Sequence, residues 1–363
     1  MTLELRNVTK KVRDETHIGD VSLSFARGTL NILLGPTLSG KTSLMRLMAG
    51  LDAPTSGHVF FDGKDVTGVP VRRRSVAMVY QQFINYPNLT VYENIASPLR
   101  VAGTPKADLE RRVGEAAALM KLEPLLKRKP LELSGGQQQR TALARAMVKG
   151  ADLVLLDEPL ANLDYKLREE LREELPRIFS ATGAIFVYAT TEPVEALLLG
   201  GATVTLSQGR VTQFGPTVDV YRRPNTIETA QIFSDPPLNI LAVQKTGAEI
   251  SSDAGDLKIS ASGQFAPLPS GSYTLGFRPD HLYLQRPGPD AIAVTGTVAM
   301  TEITGSESFI HVNFAGQRWV ALAHGVHNLG IGDAVEVYVE PRRFFVFDGS
   351  GALAAAPGLR QAA

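Results

Sequence analysis

The chain has 363 residues, 44% hydrophobic and 20% charged, with Lys plus Arg and Asp plus Glu each totalling 37. This composition supplies roughly two or three hydrophobic cores and excludes a fibrous or disordered chain. Balanced charge excludes a one-signed field that would gather nucleic acid or anionic lipid over the whole surface. With no cysteine, disulfide frameworks, thiolate zinc sites and cysteine nucleophiles are also excluded, and a reducing compartment is the natural setting. No apolar run approaches the roughly 20 residues that cross a bilayer, and MTLELRNVTK lacks the apolar stretch of a secretory signal. The expectation is a chain that neither spans nor crosses a membrane.

From Leu3 to about Gln231 short β-rich runs alternate with helical patterns, which is how an α/β layer protein reads. LELRNV, VSLSF, LNILLG, VFFDG and VAMVYQ are the early strands, with a helix from Gly40 through Ala49. Thr104 reads as an N-cap followed by Pro105 at the first helical position, with Leu109, Val113 and Met120 on one face. This places a helical insert at about 84–148. LVLL at 153–156 is apolar throughout, as in a strand buried on both faces, and AIFVYAT at 184–190 is a further strand. After Pro236 the pattern changes to YTLGF, HLYLQ, TGTVAM, SFIHVNF, RWVALA, VEVYV and FFVF, a separate small β-barrel or sandwich. Ile310, Val312 and Phe314 share one face, Ala315-Gly316 forms a turn, and the Gly/Ala-rich tail from Gly349 is expected to fray.

The chemistry concentrates in three stretches. Gly35, Pro36, Thr37, Leu38, Ser39, Gly40, Lys41 and Thr42, followed by Ser43, lie between an apolar strand and an amphipathic helix, the context of a phosphate loop. Its backbone N–H groups cradle phosphates, Lys41 reaches the β- and γ-phosphates, and Thr42 can ligate Mg²⁺. LVLLDEP ends a buried strand with paired carboxylates: Asp157 can hold Mg²⁺, and Glu158 can polarise an attacking water as general base. LSGGQQQR places Ser134, Gly135, Gly136 and Gln137 at a helix start, where free N–H groups attract anions; taken alone, SGGQ is equally a flexible turn.

Taken in this order, the three stretches resemble the ABC ATPase family, with LSGGQ similar to its signature and ANLD, Ala161 to Asp164, similar to its D-loop. The resemblance implies a phosphate-loop core, ATP and Mg²⁺ as ligands, and a head-to-tail dimer in which each ATP lies between one phosphate loop and the other subunit's signature. Gln81 resembles the Q-loop glutamine, a metal and water sensor, and the stretch from Gln81 to Asn94 resembles the docking segment for membrane subunits. DPPLNIL, LGFRPDH and ITGSESFIHV resemble the oligonucleotide-binding-type accessory domain of the maltose and glycerol-phosphate importer branch. Four positions depart from the family. Thr191 stands at the switch histidine, followed by Glu192 for aspartate; Val12 stands where a ring stacks on adenine; Leu38 replaces a loop glycine. A threonine cannot carry imidazolium charge, and a lost stacking ring weakens nucleotide binding by about 1–3 kcal/mol on the scale of base stacking.

The expected architecture is therefore an α/β ABC ATPase domain at 1–235 and an all-β, OB-like accessory domain at 236–363. The expected function is to power an importer for a sugar, a polyol such as glycerol, or a related phosphate, at the cytoplasmic face of the bacterial inner membrane. Expected partners are a second ATPase subunit, two permease subunits and, indirectly, a solute-binding protein, with no nucleic acid. Two other readings stay open: a regulatory nucleotide-binding subunit with little turnover, and a non-transport ABC ATPase.

Overall fold

The computed structural model describes residues 2–161, 163–252 and 257–358. They fall into two compact units, Met1–Thr217 and Val218–Ala363, a division ahead of the expected 235/236. In the first unit, strands β1 (Thr2–Val12) and β2 (Glu15–Ala26) form an antiparallel hairpin. Strand alternation turns Leu3, Leu5 and Val8, and Ile18, Val21, Leu23 and Phe25, into the core. β3 (Leu30–Leu34) leads through the glycine loop into α1 (Lys41–Ala49), whose Leu44, Met45, Leu47 and Met48 are buried. Each such side chain contributes roughly 1.5–3 kcal/mol by leaving water.

β4 (Ser56–Phe61), β5 (Lys64–Asp65) and β6 (Val76–Val79) follow. Then come α2 (Val91–Val101), α3 (Lys106–Leu119) and α4 (Gly135–Val148). α2 begins with a capping box between Thr90 and Glu93. The expected cap at Thr104 is not formed: α3 starts one residue later, with Pro105 at the cap position. The Thr104 N–H instead bonds to Leu99 O at 3.0 Å, closing the end of α2 through Gly103 in left-handed conformation. Leu109, Val113 and Met120 are buried as the periodicity implies.

β7 (Leu153–Asp157), α5 (Tyr165–Thr182), β8 (Ile185–Thr190), α6 (Pro193–Leu199), β9 (Ala202–Ser207) and β10 (Arg210–Pro216) complete the unit. One sheet is antiparallel, ordered β2-β1-β4-β5; the other has six strands, ordered β10-β9-β3-β8-β7-β6. In the second, β9, β3, β8, β7 and β6 run parallel, and every residue of β7 is buried. Parallel pairing sets Leu34 beside Thr190, Asp157 beside Ala189 and Val79 beside Leu156. The loops that follow these strands therefore emerge along one edge, where open α/β sheets bind ligands.

The second unit begins within α7 (Thr217–Arg222), after its first residue, and continues through α8 (Ile227–Ile232). They belong to it because the Ile227 and Leu353 N–H groups bond to Gly351 O and Asn225 O, and because Arg278 stacks on Tyr221, 3.6 Å from the ring centre. β11 (Asn239–Thr246), β12 (Glu249–Ser252), β13 (Lys258–Ser260), β14 (Gly271–Phe277) and β15 (Leu282–Tyr283) follow. β16 (Ile292–Ile303), β17 (Glu307–Phe314), β18 (Gln317–His324), β19 (Ala334–Val339), β20 (Phe345–Phe347) and β21 (Leu353–Ala355) complete it. Two antiparallel sheets, ordered β13-β12-β11-β14-β20-β21 and β15-β19-β16-β17-β18, close over one core. Trp319 lies in this core, edge-on to Phe277 at 5.0 Å, with its indole N–H bonded to Ile240 O at 3.0 Å. Ile310, Val312 and Phe314 face inward, and Ala315-Gly316 turns β17 into β18. The tail expected to fray pairs in part, since Leu353–Ala355 is a strand; residues 359–363 lie outside the described residues.

Candidate active site

At the sheet edge a cleft of about 740 Å³ is lined by the phosphate loop and its neighbours: Glu15, Thr16, His17, Thr37, Leu38, Gly40, Lys41, Thr42, Ser43, Gln81, Glu158, Gln208 and Gly209. The volume suits a small-molecule ligand. Gly35 is obligatory beneath it, because a Cβ there would lie 2.3 Å from Leu206 O. Gly40, at φ 104, adopts a backbone that side chains rarely tolerate. Leu38 occupies the same left-handed region, at φ 67, and leaves its side chain 96% exposed, so the loop forms without glycine at that point. Ser39 is buried, holding the loop through its backbone to Pro36 and Gly209.

The Lys41 ammonium donates to Gly35 O at 2.7 Å and Pro36 O at 2.9 Å. Thr42 Oγ1 donates to Asp157 Oδ2 at 2.7 Å, and Gln81 Nε2 donates to Glu158 Oε2 at 2.9 Å. Burial pushes the Asp157 carboxyl up, against its Thr42 hydrogen bond and the Lys41 charge. Burial likewise raises Glu158, opposed by Lys41 and assisted by Asp157 and other acids. Lys41 is lowered by burial against the pull of both carboxylates. The site therefore holds one hindered cation against two carboxylates of raised basicity, an arrangement that favours a further positive charge.

Glu158 is itself in left-handed conformation, at φ 48. This costs a non-glycine residue about 1–2 kcal/mol and turns the side chain out of the strand toward Gln81. The turn is held by Glu158 N–H to Ala189 O at 3.0 Å and by the buried Gln139 amide, which donates to Pro159 O at 2.6 Å and Glu158 O at 3.4 Å. Gln139 was not singled out in the sequence, though it lies one helical turn beyond the glycine pair on α4. Glu15, Thr16, His17, Gln208 and Gly209 were also missed. They carry no motif and reach the cleft only through the fold.

Of the residues expected from sequence, Thr37, Leu38, Gly40, Lys41, Thr42, Ser43, Gln81 and Glu158 line one cleft, with Asp157 joined through Thr42. Val12, Ser134, Gly135, Gly136, Gln137, Asp164 and Thr191 are not on its lining. Val12 is 43% exposed. Ser134 caps α4 in a capping box with Gln137, and Ser134 and Gly135 are exposed. Asp164 caps α5, its carboxylate accepting from Leu167 N–H at 3.0 Å; Asn162, in the same ANLD stretch, lies outside the described residues. Thr191 is exposed, while Thr190 is buried with its hydroxyl donating to Glu195 at 2.7 Å. Arg172 closes this cluster onto Glu192 and the buried Glu195. Burial and Glu195 raise Tyr188 well above its ordinary value, so it stays protonated and donates to Glu195.

The stretch after Gln81 is fastened to α2 and α4. Asn94, fully buried, bonds to Tyr86, Leu89 and Thr90, and Arg145 stacks on Tyr86 and bonds to Ile84 O. Beside it a groove of about 410 Å³ is lined by residues including Tyr80, Tyr86, Pro98, Val101 and Arg145. No helix among the described residues is long and apolar enough to cross a membrane.

Comparison with known proteins agrees with this geometry. Residues 18–161 match the model of the ABC transporter family, and residues 275–347 match the TOBE domain. A protein of Agrobacterium fabrum named sn-glycerol-3-phosphate import ATP-binding protein UgpC 3 is 36% identical over 92% of this chain and 94% of its own length. The UgpC protein of Paracoccus denitrificans is 36% identical over 95% and 96%. In Synechocystis, an osmoprotective compounds uptake ATP-binding protein, GgtA, is 32% identical over 96% and 97%. Among solved structures, an ATP-binding cassette captured as a dimer with ADP and Pi superposes with a TM-score of 0.55 at 30% identity, covering 59% of this chain and 98% of its own. The phosphate loop, the paired carboxylates, the outward-facing glycines of α4 and the relatives spanning nearly the whole length converge: the chain is an ATPase and belongs to the ABC transporter family.

Proposed function

We propose that this chain hydrolyses ATP to drive an importer for sn-glycerol-3-phosphate or a related polyol or sugar, in partnership with a second ATP-binding subunit. The observation that carries the catalytic part is Glu158, turned out of β7 by its left-handed backbone and held by Gln81 at the phosphate-loop cleft. The solute class rests on the names of the relatives.

Lys41 and the N–H groups at the start of α1 bind the β- and γ-phosphates and withdraw their charge. The Thr42 hydroxyl and the Asp157 carboxylate, 2.7 Å apart, are hard oxygen donors that fit Mg²⁺, with Gln81 near enough to the carboxylate pair to share the site. Held there, Mg²⁺ would supply charge neutralisation for the phosphates. Glu158 accepts the proton of the attacking water as its oxygen bonds to the γ-phosphorus and the bridging bond to ADP breaks. Burial raises its basicity for that task.

Ser134, Gly135, Gly136 and Gln137 are exposed or partly exposed at the N-terminus of α4 and are assigned to the partner's ATP, with Asp164 beside that interface. Thr191 takes the place of a switch histidine, and its short neutral hydroxyl stabilises developing charge less than an imidazolium. This favours a heterodimer in which this chain lends its signature and turns over more slowly at its own loop. The groove beside Tyr86 is assigned to the permease subunits, with a solute-binding protein beyond them. The chain then sits peripherally at the cytoplasmic face of the inner membrane.

The test is to purify the intact complex, reconstitute it, and follow uptake of labelled sn-glycerol-3-phosphate, glycerol and maltose. Glu158→Gln in this chain is compared with the equivalent change in its partner ATPase. Unequal loss of transport supports the asymmetric pair; equal loss removes it. Failure of all three solutes to stimulate hydrolysis removes the solute class.

A further inference from the structure

The phosphate-loop cleft has two flanks, and they differ in chemistry. On one, Lys41 and Thr42 meet Asp157, Glu158 and Gln81, which fixes the terminal phosphates there. On the other, Gly40 backs onto the start of β2 and the turn after β9: a Cβ on Gly40 would lie 3.1 Å from His17 O and 3.2 Å from Gly209 Cα. With its phosphates held on the first flank, a nucleotide must send its sugar and base out over the second.

That second flank contains one ring. Among the described residues lining the cleft, no Phe, Tyr or Trp occurs, Val12 is absent, and His17 is the sole aromatic side chain. Its backbone is fixed to the phosphate loop. Gly209 N–H donates to Ser39 O at 2.9 Å, Gly19 N–H donates to Gly209 O at 2.9 Å, and His17 O lies 2.4 Å from where a Cβ on Gly209 would sit. Its side chain is 39% exposed, and its Nε2 is 3.7 Å from Glu15 Oε2, beyond hydrogen-bond range. The ring is thus anchored at its root, with part of its surface open to the cleft and solvent.

We propose that His17 provides the surface on which the base of ATP stacks, supplying from the start of β2 the contact that Val12 does not make. Imidazole is one of the rings on which bases stack, so the expected weakening from a missing ring at Val12 is offset. The proposal rests on the reading of this cleft as the ATP site.

The experiment uses the full chain in a Glu158→Gln background, to stop turnover, and titrates ATP and inorganic tripolyphosphate by calorimetry with Mg²⁺ present. His17→Ala is expected to weaken ATP roughly tenfold, the scale of one base–ring contact, to leave tripolyphosphate unchanged, and to be restored by His17→Phe. The proposal is overturned if His17→Ala leaves ATP affinity within about twofold, weakens both ligands alike, or is not rescued by phenylalanine. Lys41→Ala separates the two levels of inference. If it leaves ATP binding intact, the cleft is not the ATP site; if it abolishes binding while His17→Ala is silent, only the His17 assignment falls.

Discussion

The two units spend their buried polar groups differently. In the first, the parallel sheet ends β3, β6, β7 and β8 along one edge and leaves Lys41, Asp157 and Glu158 against one another with charge uncompensated. In the second, the antiparallel sheets return strands to both ends, and several buried polar side chains bond back onto the backbone of the same unit. The Asn239 side chain donates to Val320 O at 2.9 Å and accepts from Val320 N–H at 2.7 Å, and Arg278 donates to Tyr221 O. Polarity left over at a strand end is available for chemistry; polarity satisfied inside a core buys only rigidity.

Removing a group should therefore cost catalysis in one unit and stability in the other. The largest effect is expected for Glu158→Gln, which should lower the rate of phosphate release by roughly 10²–10³ while ATP still binds, on the scale of losing one aimed catalytic group. A loss below tenfold would show that another group takes the proton. Asn239→Ala should destabilise the chain by about 1–3 kcal/mol, the cost of orphaning buried backbone groups, with turnover per folded molecule unchanged; denaturant titration and a Pi assay together check it.

Smaller effects sharpen the contrast. The raised Asp157 and Glu158 are costly to ionise in the folded state, so their stabilising contribution is present below the ordinary carboxylate range and lost as pH rises through their elevated values. Asp157→Asn should therefore raise the melting temperature at neutral pH in chelator, by about 2–4 °C per kcal/mol recovered, and the gain should shrink when Mg²⁺ and ATP are added. Leu38→Gly, which relieves a left-handed leucine exposed to water, should stabilise the chain by at most about 1 kcal/mol, visible in a melt.

What could be read in advance follows the range of the forces involved. GPTLSGKT, LVLLDEP and the glycines of α4 were legible because loop conformation, strand burial and helix capping are local, and their residues carry the chemistry themselves. The strands around Ile310 and Trp319 were legible by alternation. β9 and β10 went unnamed because the run from Ala202 to Pro216 carries no motif and mixes threonines with apolar residues. β11 was missed because Asn239 and Lys245 take inward positions where an apolar residue marks a strand, and β12 and β13 because they are only four and three residues long. The cap at Thr104 failed because Pro105 keeps an extended backbone, at ψ 143, and itself takes the cap position, so the helix starts only at Lys106. His17, Gly209 and Gln139 reach the site by long-range contact, and nothing in their own neighbourhood announces it.

Gln139 has a mechanical meaning. The helix that exposes Ser134 and Gly135 at its tip grips, one turn further in, the carbonyls of Glu158 and Pro159. A rigid rod with a handle at one end and a hook at the other conveys displacement without any intermediate part. The exposed tip of α4 and the backbone that aims Glu158 are thus joined through one fourteen-residue helix, with a single side chain as the link.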